Sequence, residues 1–259
     1  MATPIFYSGT KNASSWAMRA WLALKAAEYP FEEVVVDIRR PQRFINLARI
    51  GNISPPACVP VLDTGRTVIF DSNAIMEFAN DVSGGRLLPR DPETRAHARA
   101  LVAWQHTGLS SICHRISFES AFYPFKRALS TEEQTECRRL LDCYEACLAD
   151  SGGPFLFEDI SLADFMHTPT VIRLYRHDVD LRNHPETRCW METLLAYSWI
   201  ADWIAEADRL PHIWFDNYLL PNASAASLIS IDDNPDIDAS PHVGIIDPLP
   251  NQNRALVRR

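Results

Sequence analysis

Trp16, Ala20, Trp21, Leu24 and Ala27 recur at helical spacing, and residues 15–28 read as a buried helix with few polar interruptions. Two neighbouring hydroxyls, Ser14 and Ser15, open it without an acidic cap. On either side lie strand patterns, PIFY at 4–7 and the β-branched FEEVVVDI at 31–38. Residues 41–50 predict a short helix with Pro41 in its first turn. VPVLD and RTVIF then predict two short antiparallel strands joined by a Thr64-Gly65 turn. DSNAIMEFAND closes the unit as a helix that starts at Asp71 and Ser72. The order βαβ followed by ββα is that of one small α/β domain over residues 1–83.

From residue 90 onward the strand signal vanishes. The long stretch from Pro89 to Ile116 predicts a helix starting at Pro92, with Asp91 as its cap. Ser130 with Glu133, and Ser161 with Asp164, carry the spacing of capping boxes, and Ser151-Gly152-Gly153-Pro154 ends the first of those helices. Helical stretches near 185–196 and 198–208 complete an all-helical domain over 90–210, joined to the first around SGGRLLPRDPE at 83–93. Past residue 220 the small, acidic and proline-bearing text has no sustained period and predicts an extended or disordered tail over 220–259.

Composition narrows the classes. An apolar content of 47% with 22% charged residues is that of a soluble globular protein. The net charge of −8 disfavours nucleic-acid binding, which needs a basic footprint. No run is long enough to span a membrane and no leader pattern opens the chain, so a cytoplasmic location is expected. The six cysteines, Cys58, Cys113, Cys137, Cys143, Cys147 and Cys189, include no CxxC pair and no histidine-spaced ligand set. Buried reduced thiols are expected, with no metal site and no disulfide.

Three places carry the candidate chemistry. A helix N-terminus offers unpaired amides and partial positive charge, and a hydroxyl from Ser14 there can cap the helix or donate to a thiolate or oxyanion. Pro60 stands at the entry to the third strand, where a cis bond would leave the Val59 backbone free to pair with a peptide-like ligand. Asp71 and Ser72, at another helix start, can cap it or hold a carboxylate and an ammonium group. Together the three would hold a small zwitterionic peptide with its middle near Ser14.

On Ser14 with Arg19 five residues on, CVPVL at 58–62, DSNAIMEF at 71–78 and SLAD at 161–164, the chain resembles the cytosolic glutathione transferases. SSWAMRAWLALKAA is most similar to bacterial-type serine members, and the resemblance covers about residues 3–208. It implies a thioredoxin-like first domain, an all-helical second one and a homodimer. It also implies that glutathione is the co-substrate, with Ser14 as the thiol-activating residue. Ser15, Arg43, Val59, the cis-proline Pro60, Asp71 and Ser72 would line its site. A small hydrophobic electrophile would sit at the far end of the helix from Pro92, against Ser111, His114, Arg115 and Phe118. The implied reaction is conjugation. A glutathione-dependent isomerase of the maleylacetoacetate type, a lyase or dehalogenase, and a non-catalytic ligand binder are the alternatives.

The chain departs from the family pattern in two places. Ala57, followed by Cys58, replaces the usual glycine before the VP motif, and Ser15 or Asn12 could occupy the working serine position. Tyr7, at the end of the first strand, is expected to pack. Where the redox members of the fold keep their cysteines, this chain has Asn12 to Ser15. Truncation after residue 220 is predicted to leave the melting temperature nearly unchanged; a loss of several kcal/mol in denaturant unfolding would place the tail in the fold.

Overall fold

Strand β1 (Ile5–Gly9) is the centre of a four-stranded sheet. It pairs in parallel with β2 (Glu32–Val36) and antiparallel with β3 (Val61–Asp63), which in turn forms a hairpin with β4 (Val68–Phe70). The computed structural model describes residues 3–39, 41–214 and 218. Alternation along the strands splits the apolar residues between the two faces. Phe6 and Leu62 face helices α1 (Ser15–Ala26) and α3 (Ser72–Val82), whereas Tyr7 and Val61 pack with Val36 and with Ile50 of α2 (Gln42–Ile50). Tyr7 is a packing residue, and burial pushes its phenol pKa up. Pro41 occupies the cap position of α2 rather than its first turn.

The rest is helical: α4 (Pro92–Thr107), α5 (Ser110–Arg115), α6 (Thr131–Ser151), α7 (Leu162–Arg176), α8 (Pro185–Ala196) and α9 (Ser198–Ala207), with a 3-10 turn at Glu119–Phe122. This is the thioredoxin-like unit followed by an all-helical body. The single helix expected from Pro92 is instead two. The chain breaks at Gly108, where a Cβ would come within 2.8 Å of the Trp104 ring, so Ser111, His114 and Arg115 belong to the separate α5. Asp91 caps α4 as expected, through Glu93 and Thr94 amides at 3.0 and 2.8 Å. All six cysteines are free, but Cys58 and Cys189 are exposed, against the expectation of buried thiols. Residues 220–259 lie outside the described residues, and no described helix is long and apolar enough to cross a membrane.

One apolar core runs through both halves because α1 is buried on nearly every side, between α3 and α7. Its Arg19 donates from Nε to the Met166 carbonyl of α7 at 2.7 Å. Before α1, Lys11 pairs with Glu33 at 3.4 Å and with Glu206 of α9 at 2.9 Å. The Trp203 indole of α9 donates to the Lys11 carbonyl at 3.0 Å. Packing continues beyond the expected limit at 210: Tyr123 Oη donates to the Ile213 carbonyl at 2.6 Å, and buried Tyr218 meets His177 Nε2 at 2.9 Å.

Both capping boxes form. The one at α7 is fully buried, and Asp164 there accepts from Leu156 N at 3.0 Å, from Ser161 N and Oγ at 2.9 Å, and from Trp190 Nε1 at 2.9 Å. Burial raises its carboxyl pKa, and these four hydrogen bonds offset only part of that rise. Asp164→Ala would orphan all four donors at about 1–3 kcal/mol for each buried group left unpaired. The variant is expected to lose about 3 kcal/mol or more in urea unfolding, with Asp164→Asn losing less.

Candidate active site

The loop after β1 decides where α1 begins. The Thr10 carbonyl accepts from the amides of Ala13 and Ser14, both at 2.9 Å, and the tight turn delivers Ser14 to the cap position. Ser14 Oγ accepts from Ala17 N at 3.3 Å, which leaves its hydroxyl proton free to donate. The amides of Ser15 and Trp16 have no partner among the described residues. That end of α1 is therefore positive, donor-rich and nearly enclosed, with Ser14 only 4% exposed.

Gly9 makes the enclosure possible. A Cβ on it would lie 2.6 Å from Ser14 Cβ, 2.8 Å from Ser14 Oγ and 3.0 Å from Val59 Cγ2. Only glycine lets the cap serine and Val59 converge on the strand end. The sequence reading passed over this residue, although a glycine closing a strand is itself a sign of close backbone approach. The Val59-Pro60 bond is cis, as the resemblance implied, and neither the N–H nor the carbonyl of Val59 is hydrogen-bonded among the described residues.

At the other helix start Asp71 adopts φ +75°, a left-handed conformation rarely taken by a residue with a side chain. Its Oδ1 caps α3 through the amides of Asn73 at 2.8 Å and Ala74 at 3.2 Å. Its Oδ2 meets His106 Nε2 of α4 at 3.3 Å. The His106 ring stands edge-on to Trp16 at 5.3 Å, and Trp16 in turn lies 4.2 Å beneath the Arg19 guanidinium. Ser72 is buried. Trp16, expected to be buried with the rest of its helix, is instead 39% exposed at this junction. His106 was not singled out by sequence reasoning, because only tertiary packing brings α4 against the start of α3.

The two other candidates for the serine position are engaged elsewhere. Ser15 Oγ accepts from Arg173 Nη2 of α7 at 3.4 Å, and Asn12 Nδ2 donates to the Pro211 carbonyl at 2.8 Å. Arg43 is exposed on α2, beside the exposed Phe44 and Ile45. On the electrophile side, Phe118 is buried under Arg173, and Arg115 is turned to Glu132 of α6 in a doubled ion pair at 3.0 Å. Ser111 and His114 lie on α5, and their side chains are outside the described residues. Among the described residues, no His, Cys, Asp or Glu side chains gather in threes that could hold a metal ion.

With this geometry in hand, likeness to known proteins becomes informative. Residues 13–82 match the glutathione S-transferase N-terminal domain family, and residues 127–210 match the C-terminal domain family. A maleylpyruvate isomerase of Ralstonia sp is 30% identical over 189 residues, which are 70% of this chain and 87% of that protein. A probable maleylacetoacetate isomerase of Caenorhabditis elegans is 28% identical over 200 residues, 74% of this chain and 88% of the relative. Among solved structures, a holo maleylpyruvate isomerase, a bacterial zeta-class glutathione S-transferase, superposes with a TM-score of 0.62 at 26% identity. That superposition covers 79% of this chain and 98% of the other. A helix start shaped to face an anion thus sits in a chain whose two halves both match one family, and this protein belongs to the glutathione S-transferases.

Proposed function

We propose that the protein is a glutathione-dependent cis–trans isomerase acting on a maleyl-type unsaturated keto acid. The observation that carries the chemistry is the start of α1, where the Ser14 hydroxyl proton and the amides of Ser15 and Trp16 are all left to donate. The choice of isomerisation rests on the relatives, which are maleylacetoacetate and maleylpyruvate isomerases. We read residues 1–83 as the glutathione-binding domain and 90–210 as the domain that receives the second substrate.

Glutathione supplies a sulfur nucleophile that adds reversibly to a carbon–carbon double bond, so that the bond can turn before the sulfur leaves. The residues of this chain fit that role. Ser14 donates to the sulfur, and Gly9 keeps the cradle open where a Cβ would fill it. The unpaired Val59 N–H and carbonyl suit the backbone of the cysteinyl residue, in the manner of an added strand. Ser72, through its hydroxyl and amide, takes the γ-glutamyl carboxylate, while Asp71 meets the ammonium group. Arg43 is assigned to the carboxylate at the glycine end.

Conjugation to an electrophile is the second reading. It shares the first step, and it is favoured by the aromatic cluster of Tyr123, Phe125 and Trp214, in which Trp214 lies tilted 4.5 Å from Tyr123 and stacked 5.5 Å from Phe125. The two readings part at the product. A panel of maleyl keto acids and aryl halides, followed by mass spectrometry, is expected to give a trans isomer of unchanged mass with glutathione recovered. A glutathionyl adduct as the sole product would establish conjugation instead.

The serine assignment is quantitative. A free thiol titrates near 8.5, and lowering that by about two units needs roughly 2.7 kcal/mol of preference for the anion. A charge-assisted hydrogen bond gives about 1.5–3 kcal/mol, and a helix N-terminus roughly 0.3–1 kcal/mol more. One serine here is enough. Ser14→Ala is expected to raise the pKa of the bound thiol by about one to two units. Turnover at neutral pH should fall while glutathione still binds, and ultraviolet titration of the thiolate reads the change. If Ser15→Ala moves the titration and Ser14→Ala does not, the neighbouring serine is the catalyst.

A further inference from the structure

We propose that His106 of α4 sets how tightly Asp71 holds the ammonium group of glutathione, because the imidazole and the ammonium group compete for one carboxylate oxygen. This role rests on the glutathione reading above and adds to that site a residue from the helical body. The first observation is how the Asp71 carboxylate is divided. Its Oδ1 is used up by the fold, since it caps α3 through the amides of Asn73 and Ala74. Its Oδ2 accepts no hydrogen bond among the described residues and faces His106 Nε2 at 3.3 Å. The Asp71 side chain is 47% exposed, so an incoming cation can reach that oxygen.

Packing holds the imidazole in place. The His106 ring stands edge-on to Trp16 of α1 at 5.3 Å, and its Nδ1 is buried without a partner among the described residues. It thus lies between the starts of α1 and α3, the two helix ends assigned to the sulfur and to the γ-glutamyl group. The proton of a neutral His106 belongs on Nε2, because a bare lone pair there would face the Asp71 oxygen. In that state the ring carries no charge, and Oδ2 keeps its negative charge for an ammonium group. A second proton goes to Nδ1 and makes the ring a cation 3.3 Å from Oδ2. The ion pair then neutralises Asp71, and the ring repels the ammonium group that would share the same oxygen.

The neighbouring groups do not change charge between pH 5.5 and 7.5. The Arg19 guanidinium, 4.2 Å from the Trp16 ring, is lowered by burial to about 9 and stays charged. Cys58, in the loop before Pro60, has its thiol pushed up by burial and by Asp71, so it stays protonated. Glu77 of α3 is taken by Arg99 of α4 at 3.1 Å. Imidazole, in contrast, gains its proton in this range. Binding of the ammonium group therefore expels the His106 proton, and glutathione loses affinity as the pH falls. A charge within ~4–6 Å moves a titration by about one unit or more. Partial exposure leaves roughly half a unit, which is about threefold in affinity.

The probe is S-methylglutathione, whose blocked sulfur removes the titration of the thiol itself. Calorimetry on the full chain is expected to give a Kd at least ~3-fold larger at pH 5.5 than at pH 7.5. His106→Gln should bind with one Kd at both pH values, a change that a merely structural histidine would not produce. Melting curves check that the variant is folded. Should it not fold, ring-proton NMR of the parent decides: saturation with the probe should lower one histidine titration by ~0.5 unit or more. An equal Kd at both pH values in the parent overturns the proposal. So does a slope retained in folded His106→Gln, or a set of histidine titrations that the probe leaves unmoved. Absence of binding at pH 7.5 overturns the glutathione reading and this role with it, whereas binding without a slope overturns this role alone.

Discussion

Helix α1 has almost no face left for water, and the rest of the molecule is arranged around that fact. Ala17, Met18, Ala20, Leu22, Ala23 and Leu24 are fully buried between α3 on one side and α7 on the other. A helix enclosed in this way joins the α/β unit and the helical body into one core, so its N-terminus emerges at their junction. Met18, Leu22 and Leu24 each contribute about 1.5–3 kcal/mol relative to exposure. The position of α1, and so of Ser14, is fixed by packing from both halves. Loop flexibility has little part in it.

The polar groups near α1 follow from the same enclosure. Arg19 cannot reach water and borrows a backbone carbonyl from α7. Lys11 lies between Trp21 and Trp203, 5.3 and 4.6 Å from their rings, with Glu33 and Glu206 supplying its countercharge. Asp164 gathers four donors from three segments. Each group is satisfied by a partner far along the chain, which makes the junction between the halves specific as well as apolar. Nη1 of Arg19 and Nε and Nη1 of Arg173 are the exceptions, with no hydrogen-bond partner among the described residues.

In the proposed reaction, the enclosure supplies preorganised donors at the start of α1. Hydrogen bonds in a site shielded from water are stronger than in solution, and here the donors are fixed before any ligand arrives. The hydroxyl of Ser14 both caps the helix and retains a proton to give, so one residue would serve the fold and the proposed chemistry. Asp71 combines roles in the same way: it caps α3, meets His106 and holds a left-handed backbone.

The alternation of strand and helix, both capping boxes, the hairpin and the helical second half were legible in the sequence, because periodicity and caps are local. Ser14, Pro60 and the Asp71-Ser72 pair were legible for the same reason, since each marks the end of an element. The break at Gly108 was not, because the contact with Trp104 that requires a glycine there is invisible in a hydrophobic pattern. Nor was the division of labour between Ser14 and Ser15. Adjacent hydroxyls have the same local signature, and only the arrival of Arg173 from α7 turns Ser15 away. Gly9 and His106 belong to that second kind. Their roles arise from close approach between segments distant in sequence. The sequence by itself determined which elements form and where they end; tertiary packing alone decided which side chains meet at those ends, because contact and desolvation depend on the whole core.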